Sequence, residues 1–162
     1  MSEPLKVFKS PVRLDYVVHA GHAPSRFLRG IAEGKILGQR CPACAKVYVP
    51  PRGSCPTCGV PTDEEVAVSD RGTITMFCVV RVPYEGMAIA LPFVTAWILL
   101  DGADIAMLHL IQGVPVEEVR MGMRVRAEWV AKEELAPTLE SIRYFAPSGE
   151  PDAPYESYAR HA

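Results

Sequence analysis

No run of apolar residues in this chain is long enough to cross a bilayer. The most apolar segment, Met87 to Leu100, has 14 residues with Pro92 inside it, short of the roughly 20 a membrane helix needs. A surplus of positive charge is also missing. With 17 Lys and Arg against 19 Asp and Glu, the chain has little with which to displace counterions from a phosphate backbone. The opening MSEPLK has no basic-then-apolar leader, so a soluble, cytoplasmic protein with reduced thiols is expected. No Ser/His/Asp set, glycine-rich phosphate loop or open metal site is evident, and those are the usual signatures of hydrolytic, nucleotide and metal-ion catalysis. At 162 residues the chain can bury one core of ordinary size with a small appendage, and has no room for a large catalytic domain.

What the sequence does have is cysteine, concentrated between Gln39 and Gly59 in QRCPACAKVYVPPRGSCPTCG. The pairs Cys41/Cys44 and Cys55/Cys58 are separated by 10 residues, the spacing of two metal-binding knuckles on a short hairpin. Two residues between paired cysteines let both thiolates reach one ion while backbone amides point at the sulfurs. Four sulfurs complete a zinc tetrahedron and leave no position for water or substrate, which predicts a structural site. Two disulfides would need an oxidising compartment, and a redox dithiol ordinarily accompanies a strand-helix-strand unit that the periodicity does not show. Gly59 follows Cys58 and can take a positive φ, whereas Ala45 follows Cys44. The same conformation strains alanine by about 1 kcal/mol, small beside the order of 10 kcal/mol that zinc contributes to folding such a segment. His19 and His22 stand outside a ligand set that is already full.

Around this ribbon the sequence divides into an N-terminal extension with an amphipathic helix (1–38), the ribbon (39–60), a mainly β domain (61–146) and a C-terminal tail (147–162). Ser25 offers an N-cap, Phe27, Leu28 and Ile31 share a helical side, and Gly34 can end the helix. Pro61 to Glu65 reads as a polar connector, after which the period changes to two. In Thr73–Val82 one set of alternate residues, Ile74, Met76, Cys78, Val80 and Val82, is expected to face the core. Phe93–Leu100 and Asp104–Ile111 flank the turn signal Asp101-Gly102 and should pair antiparallel. Pro115 can start a brief helical turn, and Met123–Ala131 and Leu139–Phe145 supply two more strands. Five strands with a short helix between the third and fourth predict an OB-fold, with another small antiparallel barrel or sandwich as the alternative. Pro, Ser and Gly after Ala146 read as a tail with little core.

In order and spacing, FLRGIAEGKILGQRCPACAKVYVPPRGSCPTCG, DRGTITMFCVV and VRMGMRVRAEWV resemble the domain-of-unknown-function family thirty-five, whose members join a rubredoxin-like zinc ribbon to an OB-fold. The likeness runs from about Arg26 to Phe145, and Ala45 departs from the glycine common in relatives. It implies a non-catalytic accessory subunit that docks on a thiolase-fold enzyme acting on acyl-CoA, supports its fold and helps to enclose the acyl-CoA at the interface. LDYVVHAG, from Leu14 to Gly21, is similar to members that accompany sterol-carrier-type thiolases. Some of those partners carry out retro-aldol cleavage of steroid side-chain thioesters, and others in the wider group are acyltransferases.

On that implication, Tyr16, Phe27, Tyr48 and Val49 are candidate partner contacts, because aromatic and aliphatic anchors dominate such surfaces. Arg52 is a candidate for a CoA phosphate or a partner carboxylate. The competing function is nucleic-acid binding, which OB-folds and zinc ribbons both serve. Against it, residues 66–145 carry seven Lys and Arg and ten acidic side chains. Were the chain itself an enzyme, Cys78 and His109 would be its nucleophile and base. Cys78 is expected as a buried thiol on the strand's apolar side, and His109 has no evident catalytic companion.

Overall fold

The computed structural model describes residues 14–83 and 86–162, so the first 13 positions of the N-terminal extension lie outside it. A helix α1, His22–Ala32, leads into strands β1 (Ile36–Arg40), β2 (Val47–Tyr48) and β3 (Glu64–Val68). Then follow β4 (Arg71–Val80), β5 (Phe93–Leu100), β6 (Met107–Ile111), β7 (Arg124–Trp129) and β8 (Ile142–Pro147).

Helix α1 starts three residues earlier than Ser25. Pro24 falls in its first turn, where an absent N–H is no loss, and the Ser25 hydroxyl donates back to the Gly21 carbonyl instead of capping an amide. The helix stops at Gly34, whose N–H donates to the Ile31 carbonyl while Lys35 N–H donates to Gly30, both at 2.9 Å, the paired bonds of a Schellman end. Phe27 and Ile31 are 2 % and 0 % exposed, and burial of side chains of this size contributes about 1.5–3 kcal/mol each.

The first sheet has the order β2-β1-β3 and is antiparallel throughout. Its third strand corrects the expectation of a polar connector. Glu64 sits opposite Arg40 in the register and pairs with it at 3.3 Å, while Val66 and Val68 pack against the core. The remaining strands close a barrel in the order β4-β5-β6-β8-β7. Its interior is built from Ile74, Val94, Ala96, Ile98, Val125 and Phe145, and is continuous with Phe27 and Ile31 of α1 and with Val47 and Val49 of the ribbon hairpin. Ribbon, helix and barrel therefore share one core.

Three further expectations change. In β4 the register slips between Ile74 and Met76. This bulge reverses the alternation, so that Thr75, Phe77 and Val79 turn inward and Met76 and Cys78 outward. Cys78 is therefore exposed, not a buried core thiol. Strand β6 begins at Met107 because Asp104 is engaged elsewhere: its carboxylate accepts from Val47 N–H at 2.8 Å and its own N–H donates to the Val47 carbonyl at 2.9 Å. The helical turn after Pro115 shrinks to a single bond from Glu118 N–H to Pro115.

The C-terminal segment is no loose tail. Ala153 N–H donates to Gly122 at 2.8 Å, Arg120 forks onto Asp152, and Tyr158 is buried at 6 % exposure. Glu150 accepts from Arg124 at 2.9 Å and from Arg71. It folds back along the barrel as two short 3-10 turns, Tyr155–Ser157 and Ala159–His161.

Candidate metal centre

The ribbon hairpin brings Cys41, Cys44, Cys55 and Cys58 together, with all four sulfurs within 4.8 Å of one another. The two knuckles are near copies. Ala45 N–H donates to the Cys41 carbonyl and Gly59 N–H to Cys55, both at 2.9 Å. Cys44 N–H approaches the Cys41 sulfur at 3.4 Å and Cys58 N–H the Cys55 sulfur at 3.3 Å. Cys41 N–H and Cys55 N–H close each loop on Lys46 and Val60. Ala45 adopts φ 61° and Gly59 φ 69°, so the first knuckle holds alanine in the left-handed region that the second assigns to glycine.

The donor set fits zinc. A tetrahedron with metal–sulfur bonds of about 2.3 Å has edges of about 3.8 Å, and Cys44 and Cys55 sulfurs lie 3.8 Å apart. Cys41 and Cys55 are each 1 % exposed, while Cys44 is half-buried and Cys58 exposed. The Tyr48 hydroxyl lies 3.2 Å from the Cys55 sulfur and is the largest influence pulling that thiol down to about 6. Cys58 is pushed up to about 12, first by the neighbouring Cys44 sulfur. Four thiols this close cannot all ionise unless a cation offsets their charge, which zinc would do.

Around the cluster, Gln39 is a support that the cysteine spacing did not reveal. It is 3 % exposed, and its side-chain oxygen accepts from Gly53 N–H at 3.1 Å and from the Thr62 hydroxyl at 3.2 Å, tying the second knuckle to β1. Tyr48 is another such support. Its sequence signal, an aromatic residue in the hairpin, suits a partner contact equally well.

The structure separates the partner candidates. Phe27, Tyr48 and Val49 are 2 %, 2 % and 1 % exposed and are spent on internal packing, so none of them presents a docking surface. Tyr16 is 76 % exposed, and Arg52 is exposed beside a hollow. His109 is half-buried and its Nδ1 accepts from Leu110 N–H at 2.9 Å. Burial is the main influence lowering its pKa, and its ring packs edge-on against Phe145, as a core histidine does. His19 and His22 lie away from the four sulfurs, which alone form a metal-ligating group among the described residues.

Two family profiles match adjoining stretches of the chain: the ChsH2 rubredoxin-like zinc ribbon domain over residues 29–64 and the ChsH2 C-terminal OB-fold domain over residues 65–130. A curated relative, a DUF35 domain-containing scaffold protein of Methanocaldococcus jannaschii, is 33% identical over 93 residues. The match covers 57% of this chain, which spans 65% of that relative's length. Among solved structures, the Ltp2-ChsH2(DUF35) aldolase is similar with a TM-score of 0.60 at 21% identity, over 79% of this chain and 96% of that one. A DUF35 protein of unknown function from Sulfolobus solfataricus is similar with a TM-score of 0.59 at 21% identity, over 79% of this chain and 87% of that one. At these identities the two structures attest the fold alone.

Proposed function

The chain carries the zinc-ribbon and OB-fold domains of the DUF35 family and belongs to it, and from that premise we propose that it is a non-catalytic scaffold subunit of a thiolase-fold enzyme acting on acyl-CoA. The observation that carries the reading is the closed metal centre. Four sulfurs lie within 4.8 Å of one another and would fill every tetrahedral position, so zinc there would clamp a hairpin with no site at which to activate water or substrate. The names of the relatives point the same way: one is a scaffold protein, and the other is the ChsH2 component of an Ltp2 aldolase.

In this reading Cys41, Cys44, Cys55 and Cys58 hold the zinc. The ribbon fixes α1, and the chain before α1 reaches out to the partner with Tyr16, as Arg52 does from the ribbon. Steroid side-chain CoA thioesters are the finer substrate assignment, suggested by the likeness of Leu14–Gly21 to companions of sterol-carrier-type thiolases. Acyl-CoA would lie at the subunit boundary, with Arg52 suited to a phosphate or carboxylate. A retro-aldol partner is favoured over an acyltransferase because the similar solved complex is an aldolase. Nucleic-acid binding is the weaker alternative, since outward charges on β7, Arg124, Arg126 and Glu128, are paired with carboxylates or with each other and offer no continuous cationic track.

Co-expression with a thiolase-fold protein from the same host tests this. The two should co-elute at fixed stoichiometry, and the partner's soluble yield should rise. A partner that elutes alone and folds equally well without this chain would refute it.

A further inference from the structure

A sheet that faces water on its outer side normally alternates apolar and charged residues, and β7 does so with Arg124, Arg126 and Glu128 on its less buried positions. Strands β4, β5 and β6 do not. After the bulge, their outward positions align in rows across the sheet. Met76 pairs with Trp97 and Trp97 with Leu108; Cys78 pairs with Thr95 and Thr95 with Leu110; Val80 pairs with Phe93. None of these eight side chains is charged, and Met76, Trp97 and Leu108 are 47 %, 43 % and 51 % exposed. A contiguous apolar face of this kind marks an interaction site more often than a solvated surface.

One edge of the face is cationic. Arg52 from the ribbon and Arg160 and His161 from the C-terminal turn line a hollow of about 380 Å³ whose other walls include Met76 and Trp97. Among the described residues no carboxylate pairs with Arg52 or Arg160. Arg52 is also adjacent to Gly53, where an added methyl would stand 3.6 Å from that of Ala23 in the first turn of α1. The exposed stretch Leu14, Tyr16, Val17 and Val18, at 71 % exposure or more, enters the helix at this same end.

We propose that the outer face of β4, β5 and β6, together with its Arg52/Arg160 edge, is the docking surface for a partner protein that presents apolar side chains bordered by carboxylates. Charge selects this occupant over the nearer ones. The chain's own first 13 residues carry Lys6, Lys9 and Arg13 against Glu3, and would bring positive charge to a positive edge. A second copy offering this same face would bring Arg52 and Arg160 no carboxylate from its eight outward positions, none of which is charged. Trp and Arg are also enriched in protein–protein hot spots, and Met in interfaces. The inference rests on the scaffold reading above and names the surface by which the thiolase-fold protein is held.

The test places p-benzoylphenylalanine at position 108 of the full, zinc-loaded chain and, as a control, at position 126 on β7, each co-produced with the thiolase-fold protein. Light should join position 108, and not 126, to a partner peptide in which apolar residues neighbour Asp or Glu. Trp97→Ala should weaken the purified complex about 30-fold, Leu108→Ser should weaken it in the same direction, and both should keep zinc and circular dichroism unchanged. Arg160→Glu should slow association and flatten its salt dependence. A complex that forms but crosslinks from neither position, or that ignores both Trp97→Ala and Leu108→Ser, overturns this surface and leaves the scaffold reading standing. No complex at all overturns both. Adducts between two copies, or displacement of the partner by oligo(dT), overturn the assigned occupant.

Discussion

Ala45 holds φ 61° where its counterpart Gly59 holds 69°, and the two knuckles otherwise share their bonds. Ala45→Gly should therefore raise unfolding stability, by up to about 1 kcal/mol, because glycine adopts this backbone without strain. Denaturant melts of the zinc-loaded protein check it, and an unchanged or lower midpoint would count against the strain. Cys41→Ser acts on the metal itself: bound zinc should fall from one per chain to a trace by metal analysis, with soluble yield falling alongside. The cysteines were legible because a two-residue spacing permits few geometries. The roles of Tyr48 and Gln39 were not, because each depends on a contact made across the fold. Tyr48 meets Cys55 only once the hairpin closes, and Gln39 meets Thr62 across 23 residues of sequence.

At the scale of elements, alternation revealed the barrel strands, and β5 has the very bounds expected from sequence. The phase of β4 was beyond reach. ITMFCVV is apolar at both sets of alternate positions, so a single bulge can exchange its faces without leaving a mark in the pattern. Gly72 in this strand is a fixed point, since a methyl there would lie 2.5 Å from the Leu99 carbonyl oxygen. The C-terminal segment escaped notice for a different reason: it is held by a backbone bond, ion pairs and one buried tyrosine, none of which generates a period. Its anchor Glu150 has a pKa lowered first by Arg124 and then by Arg71. A carboxylate lowered in the folded state stabilises it above the unfolded value, and that contribution is lost as pH falls through the lower folded value. The segment should thus stay attached at neutral pH and loosen only below the usual carboxylate range. At neutral pH Glu150→Gln should reproduce the loosening, with Ala153 N–H exchanging several-fold faster while barrel amides keep their rates. Equal exchange in both proteins would show that the ion pairs do not secure it.

Taken whole, the molecule is near neutral, with a formal net charge of -2, yet its surface is unevenly dressed: ion pairs lie on α1, the first sheet, β7 and the C-terminal segment, while the outward positions of β4, β5 and β6 after the bulge are uncharged. Among the described residues no helix is long and apolar enough to cross a membrane. The fold class was readable from sequence because a metal hairpin followed by period-two segments admits few architectures. The docking face was not, because it exists only through the bulge in β4 and the register of three strands. In the proposed function, reactivity belongs to the partner and support to this chain. The most direct test measures acyl-CoA turnover by the chain alone, by the thiolase-fold protein alone, and by the two together. The scaffold role predicts no turnover from the zinc-loaded chain and a higher or longer-lived rate from the mixture than from the partner alone. Turnover by the chain alone, abolished by Cys78→Ser or by zinc removal, would contradict it.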